Sequence, residues 1–156
     1  MDSTAFIEHI LSKFDWVPKM TIVADHSILP SRNKKESSEF YTRIFGFVDL
    51  GEEPGSGLHG VRVTDSFILF FEDSSDGSSW AQGIHHFAFG ISGKEFDQVF
   101  ERIRSSGIPY GNHYSDPTNM KPPRMAPGAR GQGRSIYFRD PSGNLLQILN
   151  YSTEGE

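Results

Sequence analysis

Two histidines at matched positions of a duplicated pattern constrain this 156-residue chain more than any other feature. His26 and His86 are each followed fourteen residues later by a phenylalanine, Phe40 and Phe100, and then by a glycine, Gly46 and Gly107. Hydrophobic patterning repeats around them. Met20 to Leu29 reads as a strand holding His26, and Ser37 to Ile44 as a helix with Phe40, Tyr41 and Ile44 on one face. Gly46 closes that helix, and Phe47 to Leu50, Leu58 to Val63 and Phe67 to Phe71 follow as three strands. In the second half Ile84 to Ile91 is a strand carrying His86, and Lys94 to Ser105 is a helix that turns Phe96, Val99, Phe100 and Ile103 inward. Gly107 caps it, and Ile108 to Gly111, Ser135 to Arg139 and Leu145 to Tyr151 are strands.

Both halves therefore run in the order βαβββ. Two copies are too few for a solenoid array, which needs at least three units, so the expectation is two small sheets packed into one curved sheet or half-barrel around a central cleft. Asp73 to Gln82, rich in Ser, Gly and Asp, has a linker's composition and separates the halves. The repeat places Gln147, four residues after Gly143, opposite Phe70, four residues after Ser66. One site built by two halves would thus collect His26, His86 and Gln147.

The rest of the chain adds two segments. Residues 3 to 16 place Phe6, Ile7, Ile10, Leu11 and Phe14 on one helical stripe, with Ser3 or Thr4 as N-cap and Pro18 as the stop. That gives an N-terminal helical extension over 1–18 and a domain over 19–152. Asn112 to Arg134 interrupts the second half with four prolines, three glycines and no apolar period. Such a segment reads as a solvated loop or as a functional lid.

Charge and composition narrow the function classes. Fifteen basic against twenty acidic residues give a net charge of -5 with no basic stripe, which argues against a nucleic-acid partner. Zero cysteines exclude thiolate metal sites and disulfides, so a metal here takes His, carboxylate, amide or water. No signal peptide pattern and no membrane-length apolar run are visible, and a cytoplasmic protein is expected.

The segments Asp25-His26-Ser-Ile-Leu-Pro, Phe40-Tyr41 to Gly46-Phe47, His85-His86-Phe-Ala-Phe-Gly90 and Ser135-Ile-Tyr-Phe-Arg-Asp-Pro-Ser-Gly-Asn-Leu-Leu-Gln147 resemble the vicinal oxygen chelate superfamily. It includes glyoxalase I, extradiol dioxygenases, fosfomycin resistance thiol transferases and bleomycin resistance proteins. The resemblance covers roughly residues 20 to 152. It implies an α+β fold of two tandem βαβββ modules, 20–73 and 83–152, and a divalent ion on His26, His86 and Gln147. Iron, manganese, zinc and nickel all suit such a site. His86 fits and not His85, because neighbours on a strand point to opposite faces. The fourth family ligand falls on Phe70, which cannot bind a metal and would line the substrate pocket instead. Gln147 stands where metal-dependent members carry Glu, and an amide leaves the ion its full charge.

Other residues have candidate roles beside bland ones. Glu72 is a possible general base or a solvated strand end. Tyr137 and His113 are possible acid, base or hydrogen-bond groups. Arg124 and Arg130, with Lys121 and Arg134, would let a lid grip an anionic substrate, the planar bidentate task that guanidinium groups perform well. The resemblance implies a small metal-dependent lyase or dioxygenase acting on a small molecule, and a homodimer. Its rivals are a metal-free small-molecule binding protein of the bleomycin resistance type, and a structural domain that has lost the site.

Overall fold

The computed structural model describes residue 22, residues 24–74 and residues 85–151. The expected N-terminal helix and most of the linker lie outside the described residues. The first module runs β1 (His26–Ser31), α1 (Lys34–Phe45), β2 (Val48–Glu52), β3 (His59–Thr64) and β4 (Phe67–Asp73). The second runs β5 (His86–Gly90), α2 (Gly93–Ser105), β6 (Tyr110–Gly111), β7 (Arg124–Gly128), β8 (Gly131–Arg139) and β9 (Leu145–Asn150).

Local chemistry sets both helices. Asn33 sits in extended backbone before α1, its side chain accepting from the Lys35 and Glu36 amides, which moves the start three residues ahead of the Ser37 expected from periodicity. Gly46 ends α1 at φ 76°, a left-handed conformation that glycine adopts at little cost. Ser92 and Glu95 form a reciprocal capping box on α2.

The strands form two mixed sheets and no single continuous one among the described residues. The first has the order β1-β4-β3-β2 and the second β5-β9-β8-β6, with β7 also on β8. In each, the strand bearing the histidine lies parallel to the last strand of its module: His26 pairs with Ile68 and His86 with Leu145. Two residues further on, Phe70 and Gln147 occupy matching positions.

One core joins the modules. Leu29, Leu69 and Phe71 from the first sheet, Phe89, Ile136, Phe138, Leu146 and Ile148 from the second, and Tyr41, Ile44, Phe96 and Ile103 from the helices are buried together. Phe45 of α1 packs across the module boundary on Phe89 in a tilted arrangement, 4.7 Å between centroids, worth about 1 kcal/mol beyond the area it buries. A polar clasp completes the boundary. Buried Asp140 accepts from Tyr41 Oη at 3.0 Å and from Asn144 Nδ2 at 2.7 Å, and Asn144 Nδ2 also donates to the Pro30 carbonyl at 3.1 Å.

Side chains alternate along a strand, so the residues between the core positions face the other way. His26, Ile28, Phe70 and Glu72 share the outer face of the first sheet, and His86, Ala88, Tyr137 and Gln147 that of the second. The segment expected to be a structureless insertion is a correction. Its C-terminal part is the β7–β8 hairpin, paired from Arg124↔Ser135 to Gly128↔Gly131. The hairpin folds over the outer face, where Ala126, Tyr137 and Leu145 make a second small core.

Candidate functional site

The site residues expected from sequence fall into two groups, one on each sheet. His26 lines a cleft with Ser27, Ile28 and Glu72. Phe70 meets His26 edge to face at 5.7 Å between centroids. A Cβ on Gly60 would lie 2.9 Å from the Phe70 ring, so that ring rests directly on the backbone of β3. On the second sheet His86 stacks on Tyr137 at 6.4 Å, and Tyr137 and Ala88 are the cross-strand neighbours of Gln147. Among the described residues no three His, Cys, Asp or Glu side chains gather in one cluster.

Within each group the hydrogen bonds fix which atoms remain free. His26 Nδ1 lies 2.6 Å from Asp25 Oδ2 and His86 Nδ1 lies 3.0 Å from the Leu145 carbonyl. With the carboxylate ionised, both partners are acceptors, so in each neutral imidazole Nδ1 carries the proton and Nε2 keeps a lone pair. This is the tautomer a metal-binding imidazole uses, with an acceptor behind it to orient the ring. Gln147, 4% exposed, donates from Nε2 to Ser135 Oγ at 3.1 Å, which leaves Oε1 as its free oxygen. Two imidazole nitrogens and an amide oxygen are a donor set that fits a divalent ion of intermediate softness.

Tyr137 is 4% exposed, and burial pushes its phenol above the ordinary value while Arg124 pulls it partly back. A phenol so placed stays protonated near neutral pH and acts as a hydrogen-bond donor, not as a base. Asp25 and Ser135, which orient His26 and Gln147, were not singled out from sequence. Asp25 was visible there as the neighbour of His26, whereas the pairing of Ser135 with Gln147 depends on strand register.

The basic residues of the insertion separate. Arg130, at the hairpin tip, lies 4.5 Å over the Tyr151 ring and against Gly90, on the face that carries His86. Arg124 Nε donates to the Asn112 carbonyl at 2.7 Å. Arg134 is no part of a lid: it pairs with Asp97 at 2.5 Å and covers the Phe96 ring at 4.1 Å, tying β8 to α2. His113 is held in a bend, its Nδ1 accepting from the Ser115 amide at 3.2 Å and lying 2.7 Å from Ser115 Oγ. Among the described residues no helix is long and apolar enough to cross a membrane.

Two modules, each opening on a histidine-bearing strand that lies parallel to the module's last strand, define the fold class. The chain belongs to the Glyoxalase/Bleomycin resistance protein/Dioxygenase superfamily, whose model matches residues 23–148. It is 37% identical over 67 residues to the fosfomycin resistance protein FosX of Listeria monocytogenes, a match covering 43% of this chain and 41% of that protein. The chain thus spans about two fifths of the length of that relative. To the virulence protein STM3117 of Salmonella typhimurium it is 26% identical over 129 residues, 81% of this chain and 83% of that one. Among solved structures, the oxidase ChaP-H2 superposes with a TM-score of 0.63 at 30% identity, covering 85% of this chain and 96% of that chain.

Proposed function

We propose that this protein is a metal-dependent enzyme of the lyase or dioxygenase type, acting on a small substrate that presents two neighbouring oxygens. His26, His86 and Gln147 would hold the divalent ion, with iron, manganese, zinc or nickel as the suitable metals. The observation that carries the assignment is the tethering of all three side chains by acceptors that leave Nε2, Nε2 and Oε1 free. A bound ion supplies Lewis acidity to the substrate oxygens. The relative named metallothiol transferase FosB, of Shouchella clausii, is 25% identical over 130 residues and agrees with metal chemistry in this family.

The chain's own groups then divide the work. Glu72, beside His26, accepts a proton from the substrate. Tyr137 donates a hydrogen bond from its phenol, and Phe70 forms the apolar wall. Arg130, with Arg124 and His113, contacts the polar end of the substrate. Because the two groups lie on separate sheet faces, each turned away from the shared core, a homodimer completes the site. His26 of one protomer faces His86 and Gln147 of its partner.

Protein purified without added metal, then titrated with each candidate ion, should bind about one ion per site. His86→Ala should lose most of it. Uptake below about a tenth of an ion per chain under all conditions would exclude the metal mechanism and favour a metal-free small-molecule binder on the same fold.

A further inference from the structure

Position 147 is held as an amide in one orientation. Gln147 Nε2 donates to Ser135 Oγ at 3.1 Å and points at the Pro127 carbonyl 3.5 Å away, an approach at the limit of hydrogen bonding. Both are acceptors in this arrangement. A carbonyl has no proton to give, and Ser135 Oγ commits its single proton to the Gly133 carbonyl at 2.9 Å. The donor end of the amide is therefore the end turned into the protein, and Oε1 is the end left for a ligand.

A carboxylate in the same place would set a second anionic oxygen against these two oxygens, in surroundings where Ser135 is fully buried. Burying an unpaired anionic oxygen costs several kcal/mol unless the hydroxyl reverses, and reversal gives up the Ser135 bond to the Gly133 carbonyl. The polar shell around position 147 is thus complementary to Gln and opposed to Glu.

We infer that Ser135, supported by the Pro127 carbonyl, is a positioning residue that dedicates position 147 to a neutral oxygen donor. The metal site is then built around an amide; it is not a carboxylate site that has decayed. This deepens the metal assignment above and rests on it for the ligand role of Oε1, whereas the orientation of the amide stands on the hydrogen bonds alone. Ser135 acts only through Gln147, so its effect must vanish when the donor at position 147 is removed.

Binding of Mn2+, followed by loss of the free aqueous ion's paramagnetic resonance signal, tests the coupling in wild type, Ser135→Ala, Gln147→Glu and the double variant. Ser135→Ala should weaken binding about tenfold to a hundredfold when residue 147 is Gln, the range for loss of a ligand's orienting partner. With Gln147→Glu in place it should change binding less than about twofold, because Ser135 keeps its proton on the Gly133 carbonyl and so neither donates to the carboxylate nor accepts from it. Equal losses in both backgrounds would mean a general structural effect and overturn the inference.

Nuclear magnetic resonance of metal-free protein gives an independent readout. The two side-chain amide protons of Gln147, assigned by their absence in Gln147→Glu, should exchange slowly with water in wild type and rapidly in Ser135→Ala. Rapid exchange in wild type would refute the positioning role whatever the metal data show. Protected amide protons in a protein that takes up no Mn2+ would support the orientation by Ser135 and sink the metal assignment instead.

Discussion

Removing the Asp140 carboxylate should break the polar clasp between the two modules at a cost comparable to a large-to-small change in the apolar core. Asp140 accepts four hydrogen bonds: from the Ser142 and Asn144 amides, both at 2.9 Å, from Asn144 Nδ2 at 2.7 Å and from Tyr41 Oη at 3.0 Å. In Asp140→Ala, Asn144 Nδ2 keeps the Pro30 carbonyl and the half-buried Ser142 amide can find water. Tyr41 Oη and the Asn144 amide are left buried without an acceptor. At about 1 to 3 kcal/mol for each stranded donor, the variant loses roughly 2 to 5 kcal/mol, a large part of the ~5 to 15 kcal/mol that holds a domain of this size folded. Tyr41→Phe removes one donor and leaves the carboxylate three others, and should cost about 1 to 2 kcal/mol.

Urea unfolding at neutral pH ranks the two variants. A loss below about 1 kcal/mol in Asp140→Ala would refute the reasoning, because it would mean that the clasp carries no net energy. The pH dependence adds a signed check. Burial pushes the Asp140 carboxyl above its ordinary 3.8, against the pull of its donors, so the folded state binds that proton more tightly than the unfolded chain. The proton-linked part of its stabilisation is greatest below 3.8 and declines as pH rises through the folded value, while the hydrogen bonds to the ionised carboxylate persist at neutral pH. Burial and the same carboxylate hold the Tyr41 phenol well above 10.0, so a second decline begins as pH climbs past 10.0. Asp140→Asn should abolish the first of these slopes.

Gly111→Ala would place a Cβ 2.2 Å from the Asp116 carbonyl oxygen and 2.9 Å from Pro117 Cα, backbone atoms that cannot swing aside. It should cost about 3 kcal/mol or more, read as a lowered urea midpoint. Thr42 Oγ1 is buried without a partner among the described residues, so the isosteric Thr42→Val should raise stability by about 1 kcal/mol. Loss of stability there would show that the hydroxyl is satisfied after all. Asp25→Asn keeps an oxygen available to His26 Nδ1 but removes the charge from a bond of 2.6 Å. Mn2+ affinity should drop about tenfold with no change in melting temperature.

The repeat was legible because it is written in local signals. Gly46 and Gly107 follow the two helices, the histidines precede strand-forming runs, and periodicity marks the buried faces of both helices. Register confirms the equivalence of Phe70 and Gln147, which sequence spacing alone had suggested. The β7 strand was not legible. Arg-Met-Ala-Pro-Gly has no alternation, because an edge strand buries only Ala126 and tolerates Pro127, whose missing N–H costs an edge nothing. Its order comes from β8, and pairing between strands leaves little trace in either one alone. The role of Arg134 was hidden for the same reason, since only the strand's direction puts it on the helix side beside Asp97.

The equivalence of Phe70 and Gln147 also makes the asymmetry of the two modules testable. Phe70 is half-buried beside His26 and lies over Gly60, so Phe70→Glu exchanges an apolar ring for a carboxylate at the rim of the His26 cleft. The loss of ring packing on Gly60 and His26 should cost about 2 to 3 kcal/mol. Against that, the cleft gains an anionic oxygen at the position matching Gln147, where direct coordination by a hard, charged donor raises affinity for a divalent ion. Mn2+ affinity should therefore rise tenfold or more in a variant that melts earlier. A fall in both would show that the outer face of the first sheet is a packing surface, with His26 held there for its contact with Phe70 and not for a metal.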